Sequence, residues 1–188
     1  MAAHLDADAV RLRGPFRLDV PFTDIRELAV RGDSLRFDTP AGNVTLELGA
    51  SEAAKWLKAI REPKPLLAKL GIKRGMRVCL RGPLEADFVR DVATLLDDAP
   101  ATTLRGRFAA IVARLDAPAE LATLATLRAH LEPAGMLWLI APKGKSSPVP
   151  EAVLRQAYLA QGLVDVKVAA FSPTHTAVKV VIPVAQRV

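Results

Sequence analysis

The sequence predicts an α/β chain: a mainly parallel sheet ending in an antiparallel hairpin, preceded by a small antiparallel β-meander plus helix. Three observations carry this. From Gly75 onward, short apolar runs alternate with amphipathic helical stretches, the pattern of strand–helix–strand crossovers. Near the end, LVDVKVAAF and HTAVKVVIP are separated only by the turn SPT, too short a link for anything but antiparallel pairing. Before Ser51, apolar and polar residues alternate with the period of strands that have one buried face.

Taken in order, AVRLR, PFRLDV, DIRELAV, SLRFDT and NVTLEL read as five short strands. Arg31-Gly32-Asp33 and PAGN fall where hairpin turns are needed, and Gly32 and Gly42 can take positive φ there. RGD acts in adhesion and Asn43-Val44-Thr45 in glycosylation only on an exported protein, and the start MAAHLDADAV lacks the basic and apolar segments of a signal peptide. Ser51 is expected to cap a helix over SEAAKWLKAIREP, with Ala54, Leu57 and Ile60 in one apolar stripe and Ala53 and Trp56 beside it. Pro63 and Pro65 end it, so the division expected is 1–62 for the meander and helix and 63–188 for the α/β part.

A short helix, LLAKL, closes at Gly71. MRVCLRG is a compact buried strand and LEADFVRDVATLLDD an amphipathic helix; TTLRG is the place for one further short strand. FAAIVARLD and PAELATLATLRAHLEP form the next strand–helix pair, and GMLWLIAP and PEAVLRQAYLAQG the third. The terminal hairpin completes the sheet.

Composition narrows the classes. Apolar residues make up 51% and charged residues 24%, as in a folded globular chain. No apolar run approaches the roughly 18 residues of a membrane span. Cys79 is the single cysteine, so an internal disulfide framework is excluded and a cytoplasmic protein is the simplest reading. Residues 1–62 hold 9 Lys and Arg against 10 Asp and Glu, and residues 63–188 hold 17 against 10, so the whole positive excess lies in the second part. Such a surface can attract nucleic acid, acidic lipid or an acidic protein. The charges are scattered, however, which favours an ordinary solvated surface, no membrane association, and nucleic acid as a secondary reading. An exposed edge strand in the meander leaves pairing into a homo-oligomer open.

A parallel α/β sheet closed by a terminal hairpin resembles the S-adenosylmethionine-dependent methyltransferase fold. KLGIKRGMRV (69–78), GMLWLIAPK (135–143) and above all GLVDVKV (162–168) resemble an uncharacterised bacterial family of methyltransferase-like proteins, known only as a domain of unknown function. The resemblance covers about residues 63–182, and it departs where that family is expected to carry Trp-Ser-Gly and this chain has Thr174, His175 and Thr176. It implies a Rossmann-like fold and no particular reaction. The N-terminal part resembles a fragment of a pleckstrin-homology-like module, with five strands too few for a complete one.

In Rossmann-like folds the turn after the first strand is glycine-rich so that backbone can approach a ligand at a helix N-terminus. Here that turn reads LRGPLEAD: one glycine, Gly82, then Pro83 without an N–H, then Glu85. Proline and glutamate start a helix well and receive an anion poorly. Asp116 follows FAAIVARL at a strand end, where methyltransferases often place polar residues, but it also precedes Ala117-Pro118 as a helix cap would. If a cofactor binds at all, Gly82 and Asp116 are the residues for it.

GKSS, residues 144–147, is not a P-loop: the glycine required five positions earlier is Leu139, and Pro148 and Pro150 interrupt the approach to the helix. Lys143, Lys145, Ser146 and Ser147, with Arg81 from a neighbouring strand end, form at most a loose anion-binding candidate. His4, His130 and His175 lack metal-ligand spacing, with His4 expected in a mobile terminus and His175 in the hairpin turn. Cys79 reads as a core thiol, and Trp138 as a packing residue or a wall of a pocket beside PKGK.

The functional expectation is a non-catalytic binding or interaction protein with an unknown macromolecular partner and no cofactor, on a fold that lost its cofactor loop. The first alternative is an S-adenosylmethionine-dependent methyltransferase with an atypical cofactor site. The second is salt-dependent nucleic-acid association through the basic α/β part.

Overall fold

The computed structural model describes residues 2–6, 8–63, 65–96, 98–144 and 146–187. The chain forms two compact units, Met1–Lys64 and Pro65–Val188. No helix among the described residues is long and apolar enough to cross a membrane.

Among the described residues the first unit has six strands where five were expected. β1 (Ala2–Leu5), β2 (Ala9–Arg13) and β3 (Arg17–Pro21) form one antiparallel sheet, and β4 (Arg26–Arg31), β5 (Ser34–Thr39) and β6 (Gly42–Glu47) a second. The added strand is β1, where Ala3 lies opposite Leu12 and Leu5 opposite Val10. Ala3 and Leu5 pack on the core, and this tertiary contact orders a segment too short to show a period. His4 lies within this strand, opposite Arg11, and not in a loose end.

Helix α1 (Ala50–Arg61) starts before Ser51. Ala53 N–H donates to Gly49 O at 2.9 Å, and Gly49 takes the cap position at φ 79°, a backbone state that costs glycine nothing. Ser51 is therefore inside the helix and makes no cap bond. The helix buries Ala53, Trp56 and Ile60 against Val10, Leu35 and Phe37, which is the core of this unit.

The second unit contains α2 (Leu66–Leu70), β7 (Val78–Arg81), α3 (Ala86–Leu95), β8 (Phe108–Arg114), α4 (Leu124–Ala129), β9 (Leu131–Pro142), α5 (Glu151–Ala160), β10 (Val164–Ala170) and β11 (His175–Val181). Its five strands form a mixed sheet in the order β10-β11-β9-β8-β7. β7, β8 and β9 run parallel, and β11 lies antiparallel between β9 and β10.

The apolar runs of β7, β8 and β9 are buried on both faces, as central parallel strands must be. Cys79, Ile111, Ala113, Leu137 and Leu139 point to the face covered by Leu124 and Leu127 of α4 and Leu154 and Tyr158 of α5. Val78, Leu80, Ala110, Val112 and Trp138 point to the other, covered by Leu70 of α2 and Phe88 and Val92 of α3. Trp138 is fully buried and its indole N–H donates to Leu70 O at 2.9 Å, so it is a packing residue and lines no pocket mouth.

Two expectations for this unit change. TTLRG forms no strand: only Ala101 bridges, in parallel, to Cys79. Its neighbours' carbonyls are taken by side chains instead, Thr102 O by Arg81 and Arg105 O and Arg107 O by Arg77, which removes them from any ladder. The long helix expected over PAELATLATLRAHLEP is a 3-10 turn at Pro118–Thr123 followed by the six-residue α4.

Candidate functional site

The carboxyl ends of β7, β8 and β9 and the start of antiparallel β11 share one edge of the sheet. Ligands bind at this edge in open α/β folds. Gly82 follows β7 with φ 83°, and a Cβ there would meet Arg114 O at 2.7 Å. The glycine is required by the close approach of the end of β8.

Arg114 organises the edge. Its Nε donates to both carboxylate oxygens of Asp116, at 3.0 and 2.8 Å, and its Nη1 donates to Pro83 O at 3.0 Å. Nη1 also lies 3.4 Å from Glu85 Oε1. Glu85 Oε2 is buried and has no hydrogen-bond partner among the described residues.

Asp116 is not a helix cap. The cap position is Ala117, and Glu120 reaches back over it: its Oε2 accepts from Asp116 N–H at 2.6 Å and from Ala117 N–H at 2.9 Å. The Asp116 carboxylate is thereby left for Arg114 and for His175, whose Nε2 lies 3.2 Å from Oδ1. Burial pushes the Asp116 carboxyl up, but hydrogen bonds from Arg114 and His175 outweigh it and hold it below the usual carboxylate value.

His175 is the first residue of β11 and only 7% exposed, not part of a solvated hairpin turn. An ionised carboxylate only accepts, so Nε2 carries the proton toward Asp116. Nδ1 is then the acceptor for the Thr174 hydroxyl, 2.8 Å away. Ser172 Oγ accepts from His175 N–H at 3.1 Å and holds the turn. Thr174 is exposed, so its hydroxyl connects a buried imidazole to the surface of the edge.

Of the sequence-derived candidates, Gly82 and Asp116 do meet here, through Arg114. The anion-binding set does not assemble. Arg81 ends β7, two strands away from β9, and its guanidinium is bonded to Thr102 O. Lys143 is tied to the terminal hairpin through Nζ to Ser172 O at 2.8 Å. Ser147 bonds Val149 within its own loop, Ser146 is exposed, and Lys145 lies outside the described residues. Lys143 and Ser147 line a cavity of about 370 Å³ whose other walls include Val149, Leu154, Val168 and Val178, a mostly apolar lining. Sequence reasoning missed Arg114 and Glu120, read Glu85 only as a helix starter and placed His175 in the hairpin turn; the one available signal was that His175 heads the apolar run HTAVKVVIP.

Neither a family model nor a curated protein sequence matches the chain. Among solved structures it is similar to magnesium protoporphyrin IX methyltransferase from Synechocystis PCC 6803 with S-adenosylmethionine bound, at 14% identity and TM-score 0.48 over 62% of this chain and 74% of that one. It is similar to a TehB-like S-adenosylmethionine-dependent methyltransferase from Corynebacterium glutamicum, at 12% identity and TM-score 0.43 over 70% and 96%. It is also similar to the glycopeptide N-methyltransferase MtfA complexed with sinefungin, at 12% identity and TM-score 0.43 over 62% and 91%.

Two expectations are corrected here: a non-catalytic interaction protein, and no cofactor. The solved structures named are methyltransferases, two of them with S-adenosylmethionine or sinefungin bound. The expectation of no cofactor rested on reading LRGPLEAD for its fit to a phosphate. Pro83 and Glu85 do disfavour an anion, but S-adenosylmethionine carries no phosphate and has a cationic sulfonium and ammonium. A buried carboxylate oxygen without a donor, Glu85 Oε2, fits such a group. At the carboxyl ends of β7 and β8 a crevice of about 240 Å³ is lined by Gly82, Arg114, Leu115, Glu120 and, from α4, Leu127.

Proposed function

We propose that this protein is an S-adenosylmethionine-dependent methyltransferase whose reaction takes place at the Asp116–His175 edge of the α/β unit. The observation that carries the reading is the 3.2 Å contact between His175 Nε2 and Asp116 Oδ1, with the imidazole buried and its other nitrogen on an exposed hydroxyl. A carboxylate that orients a histidine and favours one tautomer is a recurrent arrangement for proton transfer.

Gly82, Glu85 and Asp116 are the residues that would hold the cofactor. When bound it supplies an electrophilic methyl group. Glu85 would supply a negative charge to meet its positive one, and Gly82 leaves the turn open where any side chain would collide with β8. The proton of the methyl acceptor passes to Thr174 Oγ as the Thr174 hydroxyl proton moves to His175 Nδ1, and Asp116 stabilises the imidazolium that results. Arg114 keeps Asp116 ionised for that task.

The reading extends to the bacterial methyltransferase-like family suggested by GLVDVKV, and to residues 63–188 as the part that carries the activity. A cytoplasmic location belongs to it as well, since Cys79 is the sole cysteine.

Thermal unfolding with and without about 1 mM S-adenosylmethionine tests it. Ligand at about 100 times its Kd adds roughly 2.7 kcal/mol, or several degrees of Tm. The shift is expected in the natural chain and much reduced in Glu85→Gln. No shift at that concentration would sink the proposal.

A further inference from the structure

The amino ends of β8 and β9 lie at the opposite edge of the sheet from Asp116. There Arg107, Arg128, Leu131, Pro133, Ile182 and Gln186 surround a cleft of about 140 Å³. Arg128 Nε is buried in the protein and has no acceptor among the described residues. Among those residues, neither Arg107 nor Arg128 is ion-paired with a carboxylate. We propose that this cleft binds an oxyanion of the phosphate class, held between the guanidinium groups of Arg107 and Arg128.

Three features support it. The first is the cost of the arrangement itself: a buried guanidinium N–H with no acceptor is unfavourable, and a turn of the Arg128 guanidinium, which lines the cleft, would bring that N–H onto an oxyanion there. Arginine is also the side chain best matched to phosphate oxygens, because its N–H groups form a planar fork.

The second is preorganisation of the loop that carries Arg107. Arg77 donates from Nη2 to Arg105 O at 2.8 Å and from Nη1 to Arg107 O at 3.2 Å. His130 Nδ1 lies 2.7 Å from Gly106 O on the same loop. Gly106 lets Arg77 in, since a Cβ there would sit 2.8 Å from Nη1. Arg77 in turn stacks 4.7 Å from the Phe108 ring centroid. Arg107 is thus presented by a loop fixed from both sides, and Arg77, which is not part of the cleft lining, spends one donor on each of two backbone carbonyls.

The third is size. A cleft of about 140 Å³ is below the 300–1,000 Å³ usual for small-molecule pockets, and it suits one phosphate group, free or at the end of a larger molecule. Two arginines without carboxylate partners favour a dianion over a carboxylate.

Titration with inorganic phosphate, followed by amide chemical shifts against sodium chloride of equal ionic strength, tests the site. Saturable shifts are expected at residues 105–107, 128–131 and 186, with at least a tenfold loss of affinity in Arg107→Gln and in Arg128→Gln. Arg107 is exposed, so its variant keeps the fold even if Arg128→Gln does not. Absence of saturable shifts, or the natural chain's affinity retained in both variants, overturns the proposal. A single-stranded oligonucleotide separates the sources. If the phosphate belongs to nucleic acid, the oligonucleotide displaces inorganic phosphate, and Arg107→Gln reduces the salt slope by about one. If it belongs to a small molecule, phosphate binding is unaffected by the oligonucleotide, and the site stands for that class.

Discussion

His175 Nε2 and Asp116 Oδ1 stand 3.2 Å apart although 59 positions separate them in the chain. β11 carries one residue and the exit of β8 the other, with β9 between the two strands. The pair therefore forms only when the terminal hairpin has folded back across the sheet. Asp116→Asn keeps the shape and removes the charge that stabilises an imidazolium. Methyl-transfer rate should fall by about 10²-fold or more, the lower end of what a positioned acid–base group contributes. Turnover of the variant at the natural rate would remove Asp116 from the chemistry.

The same carboxyl dictates a pH dependence. Its folded value lies below the unfolded one, near 3.9, so its stabilising effect is complete above that value and is lost as pH falls through the folded value. Asp116→Asn should therefore be less stable than the natural chain near neutral pH. The gap should narrow in acid, as read from urea midpoints at pH 7 and pH 3.

Gly82→Ala places a methyl group 2.7 Å from Arg114 O at a φ of 83°. Backbone cannot yield there as a flexible side chain does, and the strain is worth about 1–3 kcal/mol. A Tm lower by several degrees is the expected readout, with Gly144→Ala, which has open space around it, falling less.

Trp138→Phe tests the buried bond to Leu70 O. The variant leaves that carbonyl without a donor and a smaller ring in a filled site, at a cost of about 1–3 kcal/mol. Equal stability of variant and natural chain would mean that the bond contributes nothing net.

Tyr158 is the single tyrosine, so its ionisation can be followed directly by ultraviolet absorbance. Burial, with Asp165 beside it, pushes the phenol up to about 12. Tyrosinate should appear about two pH units later in the folded protein than in urea. Over that interval the unfolded chain ionises first and the fold loses stability as pH rises.

Much of the architecture was legible in the residues. Strand–helix alternation announced the parallel β7–β9 core, and the three-residue SPT link required the antiparallel β10–β11 pair. Gly71 stops α2 at φ 72° as its position suggested. Failures came where a tertiary contact overrode a local signal: Ala3 and Leu5 order β1 through core packing, Gly49 pre-empts Ser51 as cap, and Arg77 and Arg81 take the carbonyls that a TTLRG strand needed. Asp116 was noticed but misassigned, because a residue before Ala-Pro reads as a cap until Glu120 is seen to supply the acceptor.

By itself, then, the sequence determined which segments are strands and helices, which faces are apolar, and that the chain closes with a hairpin. These follow from periods of two and 3.6 residues and from turn chemistry, all of them local properties. Only the tertiary structure decided that His175 meets Asp116, that Arg81 stays apart from Lys143, and that Arg107 and Arg128 share one cleft. Those juxtapositions depend on strand order and register across the sheet, where one position of slip exchanges the two faces and no local pattern records the partner.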